Sequence, residues 1–336
     1  MTYRKLVATT FSTDFREAAE IVEEPLPEPK PHEVVIRNHY AAVNATDVNI
    51  AAGRYEPGAE LPLDLGVEAT GRVVKTGNEV RNLETGDAVV TSNVGGGYRE
   101  YQVVRSSAAM KIDEPTPEAL SIVVSGLTAS IALDEVGEMH RGETVLITAA
   151  AGGTGQYAVQ LAKRAGNHVI GTCGTDEKAA FLESLGCDHP INYNKEDVGA
   201  VLKADYPSGI NLIYESVGGP LFDTCVDALA RYGRLLSIGF ISEYIEGVEA
   251  VTHPRIYAKL LPKSASVRGF FLPHYAEHFE EHMQRLMKLQ KSGALKVAID
   301  ETVFEGLDSV VDAVEYLHSG QSHGKVVVRF PQNGAL

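Results

Sequence analysis

Through about residue 120 the apolar positions come in short, β-branched runs. Residues 5–10, 34–38, 69–75, 88–92 and 100–104 each read as a strand. Between the first two lies EPLPEPKP at 24–31, a proline run that excludes a central strand or a helix interior. Gly77-Asn78, Gly86-Asp87 and the glycines at 95–97 punctuate the remainder, and short strands with regular turn signals predict a partly closed β-barrel. The period then changes. Residues 117–136 read as a helix with Thr116 as N-cap and Pro117 in the first position, and the small residues SGLTA at 125–129 would let it approach a neighbour or a ligand. From about 121 to 268 strands and helices alternate. Strands are expected at 144–148, 168–172, 190–193, 212–215, 233–239 and 263–271, and helices at 156–164, 176–185 and 221–230. Such alternation predicts a doubly wound parallel sheet. Beyond 272 follow a helix at 275–292, a helical recurrence of Phe304, Leu307, Val310, Val311, Val314 and Leu317, and a closing strand at 326–330. The tail is similar in composition to the opening section. The expected division is therefore 1–120 with 272–336, around an inserted unit at 121–271.

The junction after the strand at 144–148 carries the first chemistry. AAAGGTG at 149–155 joins that strand to a helix, and HVIGT at 168–172 continues as a second strand. In such a βαβ unit the first turn is where a dinucleotide diphosphate sits: glycine permits a tight turn and close backbone approach, and the helix N-terminus presents unpaired N–H groups. Ala151, Gly152, Gly153, Thr154 and Gly155 are the candidate cradle.

Composition narrows the partners. The 336 residues suggest two domains, and 44% hydrophobic content is enough for ordinary cores. With 30 basic and 45 acidic residues the net charge is −15, which argues against nucleic acid or an anionic membrane as partner. Three cysteines without a CxxC pair fit a reducing compartment and argue against a disulfide frame or a cysteine-rich zinc site. The N-terminus leads into no apolar signal segment, no run approaches about 18 apolar residues, and Gly334-Ala-Leu336 is not a peroxisomal Ser-Lys-Leu ending. The expectation is a soluble, cytoplasmic protein.

Several segments carry a resemblance. AAAGGTGQ at 149–156, GTCGTDEK at 171–178, SLGCDHPINY at 184–193, YESVGG at 214–219, IGFIS at 238–242 and KSASVRGFF at 263–271 are similar to the zinc-independent quinone-oxidoreductase branch of the medium-chain dehydrogenase/reductase superfamily, and most to its prostaglandin reductases. The resemblance spans nearly the whole chain. It implies a GroES-like β-barrel domain, a Rossmann domain and NADPH as cofactor. It further implies cofactor contacts from Asn44, Thr128, Ser216, Val217, Gly239, Phe240, Phe270 and Phe271, besides the glycine loop, Gly174 and Thr175.

Zinc is expected to be absent. The zinc-dependent members place a cysteine where Asn44 stands and a histidine where Val67 stands, and asparagine is a poor zinc ligand and valine none. The four-cysteine structural loop is missing, and the 11 histidines form no HxxH or HExxH cluster. The nucleotide choice turns on the end of the second strand. An NAD site wants a carboxylate there for the ribose 2′-hydroxyl. Asp176 lies close by, but Thr175 resembles a helix N-cap, and a first-turn acid is favourable without any ligand. In the branch resembled, a lysine at the position of Lys178 and a tyrosine at that of Tyr193 bind the NADP 2′-phosphate. The expectation is NADPH.

The reaction expected is reduction of the C=C bond of an α,β-unsaturated ketone, as in a 15-oxoprostaglandin. Charge develops on the carbonyl oxygen as an enolate, and tyrosine, with an ordinary pKa of about 10, can donate a hydrogen bond and a proton there. Tyr275 resembles the substrate-contacting tyrosine of the prostaglandin reductases and Tyr55 an active-site tyrosine of bacterial quinone oxidoreductases. Tyr98, in the glycine loop, has no such support. Asn44, by resemblance, lies beside the nicotinamide. Two alternatives stay open: an NADPH:quinone oxidoreductase, and a non-catalytic, crystallin-like NADPH-binding protein. Apolar residues in two loops, Ile241, Ile245, Val248, Val251, Leu61 and Leu63, suit a lipid-like enone better than a sugar. The strand near Val267 to Phe271 pairs with its twin in this branch, which implies a homodimer.

Overall fold

The computed structural model describes residues 2–55, 58–248, 250 and 255–332. Two compact units emerge, one made of the residues up to Val124 together with Ile299 onward, the other of Ser125–Ala298.

The first unit is built on antiparallel strands. β1 (Thr2–Ala8), β2 (Ala19–Pro25) and β4 (Leu63–Asp64) form a three-stranded sheet in the order β2-β1-β4. β3 (Glu33–Ala42), β5 (Glu68–Thr76), β6 (Ala88–Ser92), β7 (Tyr101–Arg105) and β8 (Ala109–Lys111) belong to a second sheet. β3 pairs with both β5 and β7, and two register shifts against β5 bend it. At the bend the backbones touch: a Cβ on Gly71 would lie 2.0 Å from the Arg37 carbonyl oxygen. β2 was not expected. It lies at the edge of its sheet and ends on Pro25, where a missing N–H costs no ladder bond.

The tail returns to this unit through β15 (Phe304–Glu305) and β16 (Val327–Arg329), which extend the sheet beside β3. The apolar recurrence from Phe304 is therefore not one helix. Gly306 has a φ of +78°, which breaks the run, and the α-helix is Val310–His318. Its Val310 and Val314 join Leu6, Phe15, Val48, Leu65 and Phe330 in the core.

The second unit is a six-stranded parallel sheet. Its strands are β9 (Thr144–Ile147), β10 (His168–Cys173), β11 (His189–Asn192), β12 (Ile210–Glu215), β13 (Leu229–Ser237) and β14 (Ser266–Gly269). Their order is β11-β10-β9-β12-β13-β14, so the winding reverses between β9 and β12. Ligands of such sheets bind at the carboxyl ends of the strands beside that reversal. Leu146, Ile170, Ile213 and Leu235 from four strands meet Leu202 and Val226 from covering helices in the core.

Three segments depart from expectation. Residues Pro117–Val136 are helical, and the Thr116 hydroxyl caps the start by accepting from Ala119 N at 3.2 Å. Within them, however, Ile122–Gly126 and Ala132–Val136 are π-helical. By length and composition this helix could cross a bilayer, but 72% of its apolar stretch is buried in the protein, as in a core helix. Second, the α-helix expected from residue 275 begins at Phe279. Leu272–His278 is a 3₁₀ segment broken at Tyr275, whose φ of −116° and ψ of 28° are not helical. Third, Phe279–Lys291 lies in the second unit, not with the tail. Met283 and Leu286 are buried there, and the side chains of Gln156 and Gln160 bind the backbone of Ala298 and Lys296.

Candidate functional site

In the second unit, β9 runs through Thr148 into the loop 149–154 and the helix Gly155–Arg164. Ala149 turns the chain with a φ of +48°, and Ala150 N returns to Thr172 O of β10. Gly155 has no room for a side chain: a Cβ would meet the Ala149 carbonyl oxygen at 2.5 Å and Ala150 Cα at 2.7 Å. Gly152 is less confined, with that oxygen at 3.2 Å. Thr154 is the N-cap, its side chain makes no capping bond, and the first turn holds no acidic residue. Gln156 N and Tyr157 N already donate to Gly152 O and Thr154 O, so what fits a dinucleotide diphosphate is the small-residue turn at the start of a helix with no carboxylate in its first turn.

The end of β10 is arranged differently. Thr175 caps the helix Asp176–Ser184, its hydroxyl accepting from Lys178 N at 3.2 Å. Asp176 accepts from Asn192 Nδ2 at 2.9 Å and pairs with Lys195. That lysine holds its carboxyl below the ordinary value, so Asp176 is engaged within the protein. Lys178 is half-buried. Tyr193 is 52% exposed, and its hydroxyl lies over Gly174, where a Cβ would stand 2.7 Å from it.

At the reversal of the sheet, Glu215 ends β12 fully buried. It accepts from Val217 N, Gly218 N and Thr148 Oγ1, and burial pushes its pKa up. Ser216 N donates to Thr148 Oγ1 at 2.8 Å. The N–H groups of Ser216 and Val217 are thus committed within the protein. Gly239 and Phe240 follow β13, and Tyr244 packs edge-on against Phe240 with centroids 4.7 Å apart. Phe270 and Phe271 follow β14. The Phe270 ring stacks on Tyr275, 5.2 Å between centroids and 20° between planes, which holds Tyr275 at the break in its 3₁₀ segment. Thr128 is buried on the helix Leu127–Ile131, and Ala151 is buried in the loop, with Gly153 half-buried beside it.

The first unit holds a buried polar network around Asn44. Lys325 Nζ donates to Asn44 Oδ1 at 2.6 Å and pairs with Glu68 Oε1 at 2.8 Å. Asn44 Nδ2 donates to the same Glu68 oxygen at 3.0 Å and to Ala42 O at 3.3 Å. An ammonium has no acceptor, so the amide can face it only with its oxygen. Both amide N–H groups and one oxygen lone pair are therefore spent inside the protein. Asn44 N donates to Asp47 Oδ2, and the Tyr98 hydroxyl donates to the same oxygen at 2.5 Å. Burial pushes Asp47 up to about 7. Tyr98 is fully buried and edge-on to Phe15, which removes it as a substrate donor. Tyr55 is partly exposed and accepts from Asn49 Nδ2 at 3.0 Å.

This donor set does not fit the zinc of the zinc-dependent members. A metal ion at Asn44 would face the Lys325 ammonium, Val67 offers no ligand, and Glu68 is already neutralised. Glu68, Lys325, Asp47, Glu215 and Thr148 went unnoticed in the sequence. Only their burial marks them, and single buried charges carry no local signal. Of the two apolar loops, Ile245 and Val248 are exposed, the latter by 73%, and Leu61 is partly so. Val251 and Pro57 lie outside the described residues.

Residues 153–289 match the family described as Zinc-binding dehydrogenase, and residues 30–114 match the Alcohol dehydrogenase GroES-like domain. The chain is 46% identical to Prostaglandin reductase-3 of Mus musculus, over 98% of this chain and 90% of the other. It is 42% identical to the Probable quinone oxidoreductase of Leishmania amazonensis, over 97% of each. Among solved structures, the quinone oxidoreductase of Escherichia coli complexed with NADPH superposes with a TM-score of 0.85 at 29% identity, covering 97% of this chain and 99% of that one.

Proposed function

Because the chain belongs to the medium-chain dehydrogenase/reductase superfamily, among its prostaglandin reductases and quinone oxidoreductases, we propose that it is an NADPH-dependent, zinc-independent reductase of the C=C bond of α,β-unsaturated ketones. The likeness to Prostaglandin reductase-3 over 98% of the chain carries this reading. Bound NADPH supplies the hydride. The protein's own residues bind, orient and donate protons. Ala151, Gly152, Gly153, Thr154 and Gly155 would hold the diphosphate, and Gly174, Thr175, Lys178 and Tyr193 the 2′-phosphate end. Thr128, Ser216, Val217, Gly239, Phe240, Phe270 and Phe271 would supply the remaining cofactor surface. Tyr275 is proposed to donate a hydrogen bond to the substrate carbonyl as negative charge develops there, with its ring fixed by Phe270. Tyr55 is the second candidate donor. Asn44 is assigned a supporting part, since its amide is held by Lys325 and Glu68.

The substrate is proposed to be an apolar enone, in keeping with the exposed Ile245 and Val248. Steady-state kcat/KM over straight-chain enones of increasing length, up to 15-oxoprostaglandins, tests it. The expected rise corresponds to up to ~0.8 kcal/mol per buried methylene. In Tyr275→Phe, kcat is expected to fall about a hundredfold while NADPH affinity holds. No turnover of any enone by chain that binds NADPH would overturn the proposal. The 42% identity to a probable quinone oxidoreductase favours one other reading. Faster turnover of simple quinones than of enones would select it. The enzyme is further proposed to work as a homodimer through the edge strand β14, and in the cytoplasm, where its three buried thiols stay reduced.

A further inference from the structure

The helix Phe279–Lys291 begins one residue after His278, and His282 follows one turn later. Residues four apart lie on one face of a helix. Facing them is Glu135, in the π-helical turn Ala132–Val136. His282 Nε2 lies 3.3 Å from Glu135 Oε1, and His278 Nδ1 lies 3.9 Å from the same oxygen. One ligand atom from each of the three residues falls within 4.8 Å of the other two. A tetrahedral ion with bonds of ~2.0–2.1 Å holds its ligand atoms about 3.4 Å apart. The His282–Glu135 separation already matches that spacing, and the His278 imidazole has to draw in by about half an ångström or more to complete the set.

At His282 the surroundings supply the outer contact that a metal-binding imidazole needs. The far edge of His282 is anchored, Nδ1 bonding Ser130 Oγ at 2.7 Å, and Ser130 in turn accepts from Arg285 Nη2. A serine hydroxyl can accept or donate, so it serves either tautomer and leaves Nε2 able to bind an ion. The other nitrogen of His278, Nε2, is 3.8 Å from Glu277 Oε1. Arg285 lies on the Ser130 side of His282, its Nη2 3.4 Å from Nδ1, and is paired with Asp134 at 2.6 Å. His282 is buried while His278 and Glu135 are partly exposed, so the ion has a way in and water an open position.

We propose that Glu135, His278 and His282 form a binding site for a divalent transition-metal ion of the zinc class, separate from the residues proposed for the reaction. Two imidazoles and one carboxylate select Zn²⁺, Cu²⁺ or Ni²⁺ over Mg²⁺ or Ca²⁺, which prefer all-oxygen shells. The ion acts as a clip. It ties the end of one buried helix to the start of another, three residues beyond Tyr275.

Calorimetric titration of the tag-free full chain with Zn²⁺ tests the site, with Tm measured with and without the ion. One equivalent is expected to bind and to raise the Tm. His278→Ala and Glu135→Gln are each expected to weaken binding at least about tenfold and to abolish that rise, with Tm unchanged when no metal is present. Cu²⁺ in the wild type is expected to show coupling to two imidazole nitrogens by electron paramagnetic resonance, and to one in His278→Ala. No saturable binding, or binding that survives in both variants, would overturn the proposal, since the ion would then be absent or held by other histidines.

Discussion

Lys178 and Asp47 show how far a single residue is legible in the sequence. Lys178 is singled out by resemblance to the lysine of the quinone-oxidoreductase branch, and what local sequence shows is the cap before it, with the Thr175 hydroxyl accepting from Lys178 N. Charge-assisted hydrogen bonds contribute ~1.5–3 kcal/mol. Lys178→Ala is therefore expected to weaken NADPH about ten- to a hundredfold and NADH little, as read by cofactor fluorescence titration. Equal losses would remove Lys178 from the 2′-phosphate. Asp47 left no such mark, because its environment is assembled from β3, the glycine loop and the tail. Its ordinary value is 3.8, and burial raises it to about 7 in the fold. Between those values the folded chain keeps a proton that the unfolded chain has lost. Stability contributed by this group is thus present below about pH 4 and is lost as pH rises to about 7. Asp47→Asn, which can still accept from Tyr98, is expected to flatten the decline of Tm across that window relative to wild type. Parallel curves for the two proteins would show that Asp47 is ionised throughout.

Among the elements, the strand-loop-helix at 144–164 is written in local sequence. A β-branched run must be buried on both faces, small residues must turn, and an amphipathic run must cover the sheet. The path through that turn depends on Gly155, where a Cβ would stand 2.5 Å from a carbonyl oxygen. Gly155→Ala is expected to shift the turn at a cost of ~1–3 kcal/mol and to weaken NADPH at least tenfold, whereas Gly152→Ala, with 3.2 Å available, costs less. Isothermal titration of both variants checks the order, and a reversed order would contradict this packing. Other elements escaped local rules. Tyr275 leaves helical geometry while its ring is stacked on Phe270, and the α-helix begins only at Phe279.

For the whole molecule, β14 stands at the edge of the parallel sheet with its outer side unpaired among the described residues. Open edges are pairing surfaces, and β14-to-β14 pairing would close this one. Light scattering at micromolar concentration is expected to give the dimer mass; a monomer mass would refute the assignment. Sequence alone determined the class of each half, because burial on one or two faces imposes period two, a continuous apolar run or helical spacing on any chain. It determined the tight turn between β9 and the following helix as well, since glycine and small residues there answer to backbone geometry within a few positions. Tertiary structure decided what depends on residues far apart. It brought the Lys325 ammonium to Asn44 and Glu68, and it set His278 and His282 against Glu135. The physical reason is the same in both cases. A buried charge is tolerated only beside its partner, and that partner can come from any distance along the chain.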